Sequence, residues 1–173
     1  MKKFQFLLLD AGPIIKLFEL NKWKTFIEQY EVTITRTIVE QCIYMKQSGE
    51  IEYIDFPFEK AAEQGLINIV DIKPDSVASF IGGLSNKYDL HAGEDETLAF
   101  LNTALEDYRV CAADGAVFRV LGFIGKGEQG VSLEELLKAI GLSGNLEWRF
   151  TKKFRDKYTG EGKIDATQGQ GLV

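Results

Sequence analysis

Apolar residues along this chain follow two patterns, one typical of buried strands and the other of amphipathic helices. The first apolar run, residues 4–9 (FQFLLL), is short and nearly continuous, as in a strand that is buried on both faces. The run stops at Asp10. Apolar residues then recur at helical spacing and predict a helix over residues 14–29: Ile14, Ile15, Leu17, Phe18, Leu20, Phe26 and Ile27.

The same two patterns alternate over the rest of the chain. Strands that alternate with helices predict βαβ units and a parallel sheet. We therefore expect an α/β three-layer sandwich, with a central parallel sheet of four to five strands and helices on both faces. The further strands are predicted at 32–35, 66–72 and 109–113, and the further helices at 38–46, 57–65, 74–81, 93–106, 114–120, 133–140 and 146–158, before a Gly-rich end at 159–173.

Composition limits the classes of protein to which the chain can belong. Its 173 residues are 45% hydrophobic and 27% charged, which suits a globular domain with a substantial core. The net charge of −6 gives no general reason to expect binding to nucleic acid or membranes. Cys42 and Cys111 are too few for a disulfide scaffold, and no segment is long and apolar enough to span a bilayer. We expect a soluble cytoplasmic protein with no membrane partner.

Acidic residues stand at comparable places after the predicted strands. Asp10 and Asp114 directly follow the first and the last strand, and Glu40 lies in the helix after the second strand. Glu94 and Glu96 begin another helix. The carboxyl ends of parallel strands line one edge of a sheet, so these side chains are expected to converge there. Crowded carboxylates repel one another, and a hard divalent cation such as Mg²⁺ or Mn²⁺ would offset that repulsion.

Each of these acids also has a structural explanation when it is taken alone. Asp10 and Asp114 are good helix N-caps. The stretch from Thr37 to Glu40 matches a capping box, and acids at a helix start complement the helix dipole. The set of acids, and not any single member, therefore favours a metal site.

Four motifs, in this order and at these distances, resemble the PIN-domain family. They are LLLDAGPIIKL, TRTIVEQC, HAGEDETLAFL and VCAADGAVFRVLGF, within residues 4–125. The first is close to the DAGPLI-type opening, and the third to the GExEAIALA helix, of one bacterial and archaeal subgroup. The resemblance implies a Mg²⁺- or Mn²⁺-dependent endoribonuclease that acts on single-stranded RNA. Many members are toxins of toxin–antitoxin pairs, so we also expect an antitoxin partner and a homodimer.

The resemblance also assigns the acids by position. Asp10 matches the first acid, Glu40 the second and Asp114 the fourth. Glu96 aligns with the third acid, and Glu94 is the alternative. The predicted catalytic residues are therefore Asp10, Glu40, Glu96 and Asp114, and the predicted metal ligands are Asp10, Glu96, Asp114 and Glu94. The nuclease domain is expected at residues 1–143, with a basic helix and a flexible tail at 144–173.

The chain departs from the family beside its acids. Family members often place Ser, Thr or Asn just after the first acid and just before the last, where this chain has Ala11, Gly12, Ala112 and Ala113. Carboxylates that lack such neighbours are less firmly oriented. The alternative is therefore a catalytically weak PIN-like module that binds RNA or a protein.

The segment LEWRFTKKFRDKY, residues 146–158, brings basic and aromatic residues together. Such a mixture suits single-stranded nucleic acid, through phosphate pairing and base stacking. An amphipathic helix with its aromatic residues on the core is the favoured explanation, because Phe150 and Phe154 are one helical turn apart. The basic residues are Arg149, Lys152, Lys153, Arg155 and Lys157, and the aromatic ones are Trp148, Phe150, Phe154 and Tyr158.

Overall fold

A computed structural model describes residues 4–45, 51–84 and 88–169 of the chain. The third and fourth of its strands form a separate antiparallel pair, and the other four form a central sheet in which every strand is parallel to its neighbours. The strands are β1 (Phe4–Leu9), β2 (Tyr30–Thr35), β3 (Ile43–Met45), β4 (Ile51–Tyr53), β5 (Asn68–Val70) and β6 (Arg109–Cys111).

Helices connect the strands and cover the sheet. Among those of the described residues, none is long and apolar enough to cross a membrane. Short 3₁₀ turns lie at Gly127–Gln129 and Trp148–Phe150. The α-helices are α1 (Ala11–Glu19), α2 (Trp23–Gln29), α3 (Arg36–Gln41), α4 (Phe58–Glu63), α5 (Pro74–Ile81), α6 (Ala92–Thr103), α7 (Gly115–Phe123), α8 (Leu133–Ala139) and α9 (Lys152–Thr167).

The order of the strands in the sheet is β5-β2-β1-β6. The chain leaves β1 toward β2 and β5, and then returns to the opposite side of β1 to form β6. Strand order therefore reverses between β1 and β6. In open α/β sheets, ligands bind outside the carboxyl ends of the strands at this reversal. Asp10 and Asp114 follow these two strands.

Side chains of β1 alternate between two core layers. Leu7 and Leu9 pack into the layer that α1, α2, α4 and α8 cover, whereas Leu8 packs into the layer that α6, α7 and α9 cover. The three leucines are at most 1% exposed, so burial on both faces explains the continuous apolar run. The predicted α/β three-layer sandwich is confirmed.

Several predicted boundaries change in the structure. The helix predicted at 14–29 is two helices, α1 and α2, because a turn at Asn21 interrupts it with a φ of 55°. The helix predicted at 38–46 ends at Gln41, since the chain then enters β3. The capping box of Ser132 and Glu135 at the start of α8 is confirmed.

The C-terminal segment packs more tightly than we expected. Helix α9 continues to residue 167 and lies against α7, with Thr159, Gly162 and Asp165 buried. Arg119 of α7 donates two hydrogen bonds to the Asp165 carboxylate, at 2.7 and 3.0 Å. The prediction that the basic helix ends at residue 158 and a Gly-rich tail follows is therefore wrong for residues 159–167, which belong to α9. Residues 170–173 lie outside the described residues.

Candidate active site at the ends of β1 and β6

Asp10 lies where β1 ends and α1 begins. Its backbone N–H donates to the carbonyl oxygen of Cys111 at 3.0 Å, which ties Asp10 to the end of β6. Its carboxylate accepts no capping hydrogen bond from α1, although the N–H of Ala11 is near enough to lower the pKa of Asp10. The net pKa of Asp10 is nevertheless raised, first because burial penalises the charged form and further by the negative charge of Asp114.

Asp114 occupies the equivalent place after β6. Its Oδ1 accepts a hydrogen bond from the N–H of Ala116 at 2.7 Å, so the helix-capping explanation holds for this residue. The turns after β1 and β6 also touch, because a Cβ added at Gly12 would lie only 2.7 Å from the Cβ of Ala113. Glycine at position 12 therefore lets the two acid-bearing turns come together.

Glu94 is buried, although it lies in the first turn of α6. Its Oε2 accepts a hydrogen bond from the N–H of His91 at 2.9 Å. The pKa of Glu94 is raised to about 7, mainly because of burial, and the negative charges of Asp10 and Asp114 raise it further. Asp10, Glu94 and Asp114 thus act on one another electrostatically, and we call them the acidic cluster.

Thr35 adds a hydroxyl group at the same edge of the sheet. Thr33 pairs with Leu8 in the parallel register, so two residues later Thr35 is level with Asp10 and on the same face. The Thr35 hydroxyl is buried and has no hydrogen-bond partner in the described part of the chain. We did not identify Thr35 from the sequence. The signal for it was the alternation of Thr33, Ile34 and Thr35, which places both hydroxyl groups on the same face of a strand.

The other two predicted acids take different places. Glu96 accepts a hydrogen bond from the hydroxyl of Thr37 at 2.7 Å, and Glu40 is exposed on α3. The predicted capping box of Thr37 and Glu40 is wrong, because α3 already begins at Arg36 and the Thr37 hydroxyl bonds to Glu96 instead. Glu94 is the acid of α6 that interacts electrostatically with Asp10 and Asp114, as the rise in its pKa indicates.

The acidic cluster fits a hard divalent cation by its donor chemistry. Carboxylate oxygens are the ligands that Mg²⁺ and Mn²⁺ prefer. Burial is the main reason for the raised pKa values of Asp10 and Glu94, and a cation would offset both the burial of their charges and the repulsion that adds to it. Within the described ranges, no group of three His, Cys, Asp or Glu side chains is arranged to hold a metal ion. The expectation that Asp10, Glu96 and Asp114 bring their oxygens around one cation stays a prediction.

The raised pKa of Glu94 predicts a pH-dependent stability. The carboxyl group of Glu94 has a pKa of 4.5 in the unfolded chain and binds its proton more tightly in the folded protein. Its contribution to the free energy of unfolding is therefore full below pH 4.5 and is lost as the pH rises through about 7. Glu94→Gln keeps the acceptor for His91 but cannot ionise. We expect the variant to be more stable than the wild type by about 2 kcal/mol at pH 8, with little gain near pH 5.

Urea unfolding of both proteins between pH 5 and pH 8 measures this difference. Glu106→Gln is a matched control, because Glu106 is exposed and lies outside the acidic cluster. If Glu94→Gln raised the free energy of unfolding by the same amount at every pH, the prediction would be contradicted.

Comparisons with known proteins leave the family open. No family model matches this chain, and no curated protein matches it. The fold and the site define an α/β three-layer sandwich with an acidic cluster where strand order reverses. The resemblance to PIN domains rests on the four sequence motifs and remains a prediction.

Proposed function

We propose that this chain is a PIN-type endoribonuclease that uses Mg²⁺ or Mn²⁺ to hydrolyse phosphodiester bonds of single-stranded RNA. The observation that carries the proposal is the position of Asp10 and Asp114 directly after the two strands between which strand order reverses, with Glu94 near enough to interact electrostatically with both. Charged carboxylates that interact in this way are unfavourable without a cation, and perturbed carboxylates at this place are typical of functional sites. A toxin role, an antitoxin partner and a homodimer follow from the resemblance alone.

The acidic cluster and Thr35 have distinct tasks in this proposal. Asp10, Glu94 and Asp114 would hold the cation through their carboxylate oxygens. When bound, Mg²⁺ or Mn²⁺ supplies an activated water and offsets charge on the scissile phosphate. The Thr35 hydroxyl, which has no partner among the described residues, can donate a hydrogen bond at the same edge and so orient a neighbouring oxygen. Glu40 remains a predicted catalytic acid; it is exposed on α3.

A PIN-like binding module without strong catalysis is the second candidate. The contact between Gly12 and Ala113 occupies the place where family members often have a Ser, Thr or Asn side chain. In the described part of the chain, moreover, the carboxylates are not arranged around a metal position. Both observations favour weak catalysis at a site that otherwise resembles that of the PIN-domain family.

Metal dependence separates the two candidates. We expect the purified wild-type protein to cleave a mixed pool of single-stranded RNA with Mg²⁺ or Mn²⁺, and not with EDTA, because phosphate cannot approach the acidic cluster without a cation. The same ions should raise the melting temperature, since they bind the folded state preferentially. Gel electrophoresis and thermal denaturation measure the two effects. Absence of cleavage with either metal would favour the binding module.

A further inference from the structure

The four aromatic residues of segment 146–158 divide into two groups. Phe150 and Phe154 are 1% and 6% exposed and belong to the core, as predicted. They do not share one helix, however, because Phe150 lies in the 3₁₀ turn before α9, and the two rings pack into different core layers. Trp148 is 52% exposed, and Tyr158 is only partly buried. Packing on the core therefore explains Phe150, Phe154 and most of Tyr158, whereas about half of Trp148 faces solvent.

Lys157 lies close to both of these partly exposed rings. Its Nζ is 5.4 Å from the centre of the Trp148 ring and 5.0 Å from that of Tyr158, and the ring centres are 6.4 Å apart. Cation–π attraction holds the ammonium group at this place. Its ion pair with Glu161, at 3.9 Å, is exposed and contributes little. An incoming phosphate can therefore take the place of the Glu161 carboxylate.

Tyr158 connects these residues to the acidic cluster. Three of its ring atoms lie 2.7 Å from the position that a Cβ of Gly115 would occupy. Gly115 is the first residue of α7 and directly follows Asp114. The aromatic ring thus lies against the backbone next to one acid of the cluster, and a strand that contacts Tyr158 is close to that acid.

We propose that Trp148, Lys157 and Tyr158 form a platform for single-stranded RNA that leads to the acidic cluster. Bases of an unpaired strand stack on the aromatic rings, and a phosphate pairs with Lys157. A local cation is required there because the whole chain has a net charge of −6 and the neighbouring cluster repels phosphate. The platform names substrate-binding residues for the proposed function, and it rests on that function for its connection to cleavage.

RNA binding measured in EDTA tests the platform, because without a divalent cation the RNA is not cleaved. Fluorescence anisotropy of a labelled single-stranded RNA should give a Kd about tenfold higher for Trp148→Ala than for the wild type, because base stacking is lost. Lys157→Gln should also weaken binding, and it should reduce the slope of log Kd against log salt by about 0.7, the value for one phosphate contact on a single strand. Trp148→Phe and Lys157→Arg should retain most of the affinity. Duplex RNA should bind more weakly, since its bases are not available for stacking.

The matched control is the double variant Leu105→Ala/Lys60→Gln, which removes an exposed apolar side chain and an exposed charge elsewhere. Its Kd should equal that of the wild type, and melting temperatures show that all variants are folded. Unchanged binding by folded Trp148→Ala, or no RNA binding by the wild type, would overturn the platform. Binding that depends on Trp148 supports the platform even if no metal produces cleavage, a result that would contradict only the nuclease proposal.

Discussion

Replacement of Asp10 by Asn is expected to lower metal-dependent RNA cleavage by at least about 100-fold, because the variant lacks one carboxylate ligand charge. The melting temperature should stay the same or rise. The pKa of Asp10 is raised in the folded protein, so at neutral pH its ionised form lowers stability. Asn has a similar shape and still offers an oxygen to the neighbouring N–H groups, but it has no charge to bury or to repel Asp114.

Asp107→Asn is the control for this experiment. It makes the same chemical change at an exposed aspartate in the segment before β6. We expect it to retain both the activity and the melting temperature of the wild type. Equal cleavage by Asp10→Asn and the wild type would mean that the activity belongs to another site or to a contaminant. A large fall in melting temperature for Asp10→Asn would mean that Asp10 has a structural role.

The sequence predicted the sheet well because the strands have a simple physical signature. Residues 4–9 are apolar on both faces, since both faces of β1 meet a core layer. Helix ends were less predictable. The interruption at Asn21 depends on one residue with a positive φ, which residue spacing does not reveal. Residues 159–167 were assigned to a tail because they contain glycine, whereas the structure uses Gly162 for close helix packing.

The candidate site was predictable only in part. Asp10 and Asp114 were expected at one edge of the sheet because parallel strands end there, and the order of β1 and β6 agrees. The choice between Glu94 and Glu96 depends on how α6 is rotated against its neighbours, and residue spacing does not fix that rotation. In the structure, Glu96 accepts a hydrogen bond from Thr37 of α3, whereas Glu94 interacts electrostatically with Asp10 and Asp114.

Two glycines of α9 should respond in opposite ways to the same substitution. Gly162 lies against the backbone of α7, where a Cβ would be 1.9 Å from the carbonyl oxygen of Arg119. The corresponding position at Gly160 has no atom within 4 Å. Backbone atoms cannot rotate away as a side chain can, so Gly162→Ala must move α9 off α7. That movement also separates the buried carboxylate of Asp165 from the guanidinium of Arg119.

We therefore expect Gly162→Ala to lower the free energy of unfolding by at least about 3 kcal/mol. Gly160→Ala should raise it by about 0.5–1 kcal/mol, because alanine favours a helix more than glycine does. Urea unfolding of the two variants and the wild type at one pH measures both effects. A Gly162→Ala protein as stable as the Gly160→Ala protein would show that α9 is not docked on α7 in solution. In that case Tyr158 would not be held beside Gly115, and the route from the platform to the acidic cluster would lose its structural basis.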